Sequence, residues 1–473
     1  MTMQLALGSA FNSLKANAAQ VSVLSRNVEN AASPSYVRQE VSLVSRNAGG
    51  VALGVSVKVT RFVDERLVRD VRQQTADSTA QSVRAHYLAQ WTAKVGQPQD
   101  ESSVSSRINS FRTSLQALES NPGSEVHQLN AVRSAQDLAR NIVALDSEAR
   151  EMRAEIDSQI GARVTQVNRD LERIAELNRQ ISGSSVAGDS AAGMLMDERD
   201  QLVDRISSEI AISTYVRDNG EMVILAQGGT TLLDSTPNFL EHTPMGGLRT
   251  ADGTDVTPRQ GNASGIRSGA IAGLYGLRDE TIPSYMAQLD GLAAGLVRMF
   301  EAADASLSPG EPGLFTDGGA AFDPSAQEGL AGRLAVNAAV VPSSGGSLWR
   351  ISSGMSASEP AAGADSSQAA AFLGAFDAKL DFPSEGGLPA SARIGDWATA
   401  MVSSQQADRV SAQNSARVSG TALSALQEAR MNVHGVNIDD ELMKMSLVEH
   451  SYQASSMVIK AVQEMMDALI AAA

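Results

Sequence analysis

Residues able to do chemistry are few and scattered in this chain of 473 residues. Cysteine is absent, which removes disulfides, thiolate metal sites and cysteine nucleophiles together. The five histidines (His86, His127, His242, His434 and His450) stand far apart, a spacing that disfavours metal or triad chemistry. No Gly-rich phosphate loop, H-E-x-x-H, EF-hand spacing or G-x-S-x-G elbow occurs. The one dense set of carboxylates is Asp197, Glu198, Asp200 and Asp204. A carboxylate pair hydrolyses glycosides when held about 5 to 9.5 Å apart across a cleft. These four fall on one predicted helix, so they read instead as a solvated face, paired with Arg199 and Arg205 at i,i+3 and i,i+4. No catalytic residue, cofactor or metal is expected.

If the chain does not do chemistry, its elements must carry its role. Only 19% of residues are charged and 4% aromatic, with Ala, Ser, Gln and Gly making up the difference. Small side chains suit close helix-to-helix contact. The length corresponds to roughly three folding units. A net charge of −16 without a dense basic run argues against a nucleic-acid partner. No apolar run approaches the ~20 residues that span a bilayer, so no membrane role is expected. Met1 to Ala19 lacks the basic-then-apolar build of a signal peptide.

The two ends repeat one pattern. Leu7, Phe11, Leu14, Ala18, Val21, Ser25 and Val28 alternate spacings of four and three, the seam of a coiled coil. Met445, Val448, Tyr452, Ser455, Ile459, Val462, Met466 and Leu469 do the same at the far end. There Asn437 reads as an N-cap, with Asp439, Asp440 and Glu441 in the first turn complementing the helix dipole. Such narrow stripes leave a helix marginal alone, so the termini are expected to pair with each other and with further copies. Between the first helix and a predicted hairpin (strands 37–45 and 51–59) lies Asn27-Val28-Glu29-Asn30-Ala31-Ala32-Ser33-Pro34-Ser35-Tyr36.

The middle is largely helical. Helices are expected over 61–95 and 102–120, the second with Val104, Ile108, Phe111, Leu115 and Leu118 on one face. From Glu125 to Ile181 only Gly161 offers a break or kink; unbroken, that helix would run ~85 Å. Its second half carries Ile156, Ile160, Val164, Val167, Leu171, Ile174 and Ile181 on one stripe. A strand pair is expected at 212–217 and 221–226, a long helix to about Ala303, and another over 391–433. Residues 213–265 and 307–389 read as β-rich excursions, with β-like pieces at 333–340 and 347–352.

The Asn27–Tyr36 segment resembles the N-x-x-N-A-x-T-x-G-Y signature of bacterial flagellar axial proteins, with Ser33 and Ser35 where Thr and Gly are usual. The V-N-I-D-D-E at 436–441 and Y-Q-A-S at 452–455 resemble their C-terminal helix. The family signature thus comprises Asn27, Asn30, Pro34, Tyr36, Asn437, Asp439 and Glu441. The block from Asp197 to Arg205, and the stretch Gly269 through Leu277-Arg278-Asp279-Glu280 to Ile282-Pro283, resemble the hook-associated branch of the family. That resemblance implies a mainly α, elongated multidomain protein. Paired N- and C-terminal coiled-coil-like helices, a long helical bundle and an inserted β-rich outer region would make it up. The terminal domain would comprise 1–35 and 437–473, the bundle 36–212, 266–306 and 390–436, and the outer domain 213–265 and 307–389. It further implies export without a cleaved signal to the extracellular flagellum, and a structural role at the hook–filament junction by self-assembly. The implied partners are copies of itself, the hook protein, hook-associated protein 3 and an export chaperone on the C-terminal helix. Another axial component, hook or distal rod, is the nearer alternative; a secreted glycan hydrolase using the Asp197–Asp204 carboxylates is the remote one.

Overall fold

The computed structural model describes residues 2–32, 36–48, 51–184, 191–362, 365–382 and 388–471, without the side chains of residues 2–6, 43–48, 51–58, 184, 191 and 469. Helix α1 (Thr2–Glu29) leads to an antiparallel hairpin, β1 (Gln39–Ala48) and β2 (Val51–Arg61), pairing Gln39 with Arg61 and Val41 with Val59. Helices α2 (Glu65–Val95), α3 (Val104–Ser120), α4 (Glu125–Ser184) and α5 (Ala191–Glu209) follow. The α2 start is fixed by the Asp64 carboxylate, which accepts from the Arg66 and Leu67 amides. The Ser103 hydroxyl caps α3 in the same way. Every residue of the expected α3 stripe, Val104 to Leu118, is buried.

Helix α4 is the spine. Its 60 residues run unbroken through Gly161, where an added Cβ would meet nothing nearer than His242 Cδ2 at 3.5 Å. The break that Gly161 offers does not occur, and the helix continues through it. Ile156 through Ile181 are buried along it.

The first excursion contains β3 (Ile212–Val216), β4 (Met222–Ala226), β5 (Thr231–Leu233), β6 (Leu240–His242) and β7 (Leu248–Thr250). Two α4 asparagines clasp its backbone. Asn178 donates to Met222 O (2.8 Å) and accepts from Met222 N–H (3.0 Å). Asn168 does the same with Leu240, at 2.8 Å both ways.

Next, α6 (Ala270–Gly276), a π turn (Leu277–Thr281) and α7 (Ile282–Ala303) follow one another without a break. Pro283 has no N–H to give, and just before it the ladder widens, Ile282 N–H reaching back to Leu277 O. On this turn Arg278 is buried over the Tyr275 ring and bonded to Asp157 of α4 at 2.6 Å.

The second excursion holds β8 (Phe315–Asp317), α8 (Leu330–Arg333), β9 (Leu334–Val336), α9 (Arg350–Ser353), α10 (Ser367–Ala375) and β10 (Leu380–Asp381). It differs from the expectation for 307–389: its strands are two or three residues long, and turns and short helices fill the rest. Residues 347–352, expected as β-like, enter the helical turn α9, because Gly354 at φ 107° closes a turn there. This excursion is tightly held. Phe111 and Phe300 of the bundle meet Phe315, Phe372 and Phe376, with ring centroids 5.1–6.0 Å apart.

After β11 (Ser391–Ala392), α11 (Ile394–His434) packs along α2, and α12 (Ile438–Ala471) ends the chain. Trp91 of α2 donates to Gln405 of α11 (3.0 Å), whose amide donates to Gln288 of α7 (2.8 Å). This buried polar ladder pins three helices in register. The Gln-rich centre of α11 is therefore partly core.

Candidate functional site: the joint between terminal helices and bundle

Helices α1 and α12 pack on each other, and α1 also rests on the hairpin. Three short links meet where this pair joins the bundle: the segment before β1, the segment from β2 to α2, and the segment from α11 to α12. Asn27 of α1, fully buried, ties the segment leading into β1 to the first turn of α12. Its Nδ2 donates to Gln39 O (2.9 Å) and to the Glu441 carboxylate (2.8 Å). Its Oδ1 accepts from Gln39 N–H (3.1 Å) and the Tyr36 hydroxyl (2.9 Å). One amide of α1 thus serves groups on two separate segments, residues 36–39 and the first turn of α12. Burial and the nearby Asp197 charge push the Tyr36 hydroxyl up to about 12, which keeps it a donor.

Beside this knot lies an ion cluster that the sequence misassigns. Asp197, Asp200 and Asp204 do not pair along their own helix. Arg61 at the end of β2 bonds Asp197 (2.8 Å) and Asp200 (2.7 Å). Arg72 of α2 and Arg430 of α11 bond Asp204 at 2.7 and 3.0 Å. Arg199 is buried against Asn178 Oδ1 and Gly220 O, and Arg205 pairs with Asp170 of α4. Only Glu198 keeps an exposed pair, with Arg173. The solvated-face reading fails because α5 is clamped between elements distant in sequence, which pairwise spacing cannot register. Burial pushes Asp197 up to about 6, against the pull of Arg61.

His434 closes the joint. Its Nε2 accepts from Asp64 N–H (2.7 Å), and its carbonyl accepts from Arg38 N–H (3.0 Å). In the sequence it is one of five scattered histidines; no spacing rule signals that its ring is buried.

Of the other signature residues, Asn437 caps α12 by accepting from the Asp439 and Asp440 amides. Asn30 bonds Arg26 O, and Asp439 is exposed. Pro34 lies outside the described residues. On α12, Met445, Val448, Ile459 and Val462 are buried or half-buried, whereas Tyr452 and Met466 are exposed; the Leu469 side chain is not described. On α1 the covered face is Ala10, Ala16, Asn17, Val23, Leu24 and Asn27. It lies one residue round from the expected stripe, about 100°. Phe11 is 65% exposed, Ala18 is exposed, and Leu7, Leu14, Val21 and Val28 are half-buried. Asn17 bonds Ser451 across the pair at 3.1 Å.

Among the described residues no group of three or more acidic or histidine side chains could hold a metal. Nor is any described helix long and apolar enough to cross a membrane.

Residues 94–306 match the model of the flagellar hook-associated protein FlgK helical domain, and residues 427–472 that of the flagellar basal body rod FlgEFG protein C-terminal region. Flagellar hook-associated protein 1 of Bacillus subtilis is 23% identical over 98% of this chain and 97% of that protein. Its namesake from Salmonella typhimurium is 27% identical over 63% of this chain. The Escherichia coli protein is 26% identical over the same share. The match spans 56% of the Salmonella and Escherichia proteins. A solved structure, the flagellar hook junction protein FlgK of Burkholderia pseudomallei, is similar at TM-score 0.45 and 22% identity, over 52% of this chain and 46% of that one. The helical-domain match over the bundle and the axial-protein match over α12 agree with the relatives, and the chain is a structural, axial component of the bacterial flagellum of the FlgK, hook-associated protein 1 type.

Proposed function

We propose that this chain forms the hook–filament junction, adapting one helical lattice to the next through its terminal helices. The observation that carries the reading is the outward face of the α1–α12 pair. Phe11, Leu447, Met457 and Ile470 are all largely exposed on helices whose other face is already used. Exposed apolar residues on a terminal pair suit burial against neighbouring copies. The inner domain would comprise 1–35 and 437–473, with the bundle around it and the two excursions outermost. Its neighbours would be further copies, the hook protein and hook-associated protein 3. An export chaperone would cover α12 before export without a cleaved signal. No bond is made or broken in this role. The Arg61, Arg72 and Arg430 pairing of Asp197, Asp200 and Asp204 supports a scaffold over a hydrolase. Between axial classes, the match over 94–306 favours a hook-associated protein over a hook or rod component.

The test is Phe11→Asp in a motile strain lacking the native protein. Because Phe11 faces solvent in the lone chain, the variant should fold and be secreted yet fail to join hook to filament. Normal junctions by electron microscopy would refute the role given to this face. Deleting residues 440–473 should likewise leave the bundle folded and abolish incorporation.

A further inference from the structure

His434 is buried at the end of α11, and its ring works as an acceptor. With Nε2 taking the Asp64 N–H, the proton of the neutral ring sits on Nδ1, which has no hydrogen-bond partner among the described residues. A second proton would have to enter at Nε2, setting N–H against N–H in a buried place. We propose that His434 is a proton-operated latch, holding the terminal helix pair to the bundle when neutral and releasing it when protonated.

The surroundings set the sign. One turn back on α11, Arg430 is bonded to Asp204 of α5. From β2, Arg61 faces the same region, paired with Asp197 and Asp200 of α5. At the N-cap of α2, the Asp64 carboxylate would favour an imidazolium, but its Oδ1 is already engaged by the Arg66 and Leu67 amides. Burial first, then the Arg430 and Arg61 charges, hold the ring below its ordinary value, with Asp64 opposing. A group whose closed-state pKa is depressed supports closure above the open-state value of about 6.5 and withdraws that support as pH falls below it. The geometry couples this to the joint. The same residue holds Asp64 through its ring and Arg38 through its carbonyl, and Arg38 and Asp64 flank the hairpin that α1 rests on.

The latch is read on the purified full-length monomer, independently of any junction role. Amide exchange at Asp64 and Arg38, corrected for intrinsic rates, should rise as pH falls from 6.5 to 5, by up to tenfold per pH unit for a single proton. In His434→Gln, whose amide oxygen offers an acceptor that does not titrate, the corrected rates should stay flat. Equal acceleration in wild type and variant would overturn the latch. A second readout needs no variant: 15N shifts of the His434 ring in the wild type. Loss of Asp64 protection in step with ring protonation upholds the proposal. Protection that survives a protonated ring overturns it.

Discussion

Asn27→Ala tests the joint most directly, because four hydrogen bonds end on one side chain that is wholly buried. Three of the four are neutral, at about 1 kcal/mol each, and the one to the Glu441 carboxylate contributes about 1.5–3 kcal/mol. Lys444 also reaches Glu441, at 2.9 Å, and would keep that carboxylate from being stranded. The half-exposed rim at Tyr36 lets water replace part of the rest. The expected loss is therefore about 3–5 kcal/mol, confined to the docking of the terminal pair. The Trp91 and Phe111 cores lie elsewhere, so the main thermal transition should barely move. At ~4 kcal/mol the joint would open about a thousandfold more often. Amide exchange at Gln39 and in the first turn of α12 would register that directly. Asn27→Asp should be at least as damaging, since it exchanges a donor for a charge facing Glu441. Exchange at Gln39 within threefold of wild type in Asn27→Ala would refute the claim that this amide holds the joint.

Gly273→Ala should cost about 1–3 kcal/mol, since its Cβ would lie 2.8 Å from Ala80 O where α6 meets α2. Gly161→Ala, with helical backbone and only an ordinary van der Waals contact to His242 Cδ2 at 3.5 Å, should instead stabilise by up to about 1 kcal/mol; thermal melts of the two variants check both signs. Gln405→Leu strands the Trp91 indole N–H and the Gln288 oxygen in the core, for a loss of about 2–4 kcal/mol in denaturant titrations. Asp197 has its folded pKa raised to about 6, so its contribution is fully present below about 3.8 and is lost as pH rises through 6. Wild-type stability relative to Asp197→Asn should accordingly fall by about 2 kcal/mol between pH 4 and 7; a difference flat in pH would show that Arg61 fully compensates the buried charge.

Helix positions and their inward faces were legible because burial follows period: Val104 to Leu118 and Ile156 to Ile181 are the residues that periodicity picks out. The hairpin was legible in the alternation of apolar and small or polar residues from Val51 to Val59, and the β3–β4 pair in the Asp218-Asn219-Gly220 turn between two short strand-like runs. What stayed hidden depends on partners far along the chain. Asp197, Asp200 and Asp204 look like a surface run until Arg61, Arg72 and Arg430 arrive from three other elements. Five phenylalanines spread from 111 to 376 give no local signal, so nothing in the sequence shows how the second excursion is anchored. Asn168 and Asn178 could have been noticed as polar residues beside a buried stripe, but nothing local names the strands they clasp.

The rotation of α1 follows from the same limit and carries a consequence. A hydropathy pattern finds bulky apolar residues, so it selected Leu7, Phe11, Leu14 and Val21. The covered face combines apolar Ala10, Ala16, Val23 and Leu24 with two buried amides, Asn17 and Asn27, which hydrogen-bond to Ser451 and Glu441. Amide bonds of this kind specify one register, because a slip of one turn would leave each buried Asn without its partner. Dispersion against Phe11 or Leu14 is less particular about its neighbour. The helix would therefore separate two tasks: a face keyed by buried amides that fixes its own chain's fold, and, on the proposed junction reading, a face carrying Phe11 that is left to bury against neighbouring copies. A charge placed on the second face should spare the first, whereas Asn17→Leu should blur the α1–α12 register while leaving Phe11 as exposed as before.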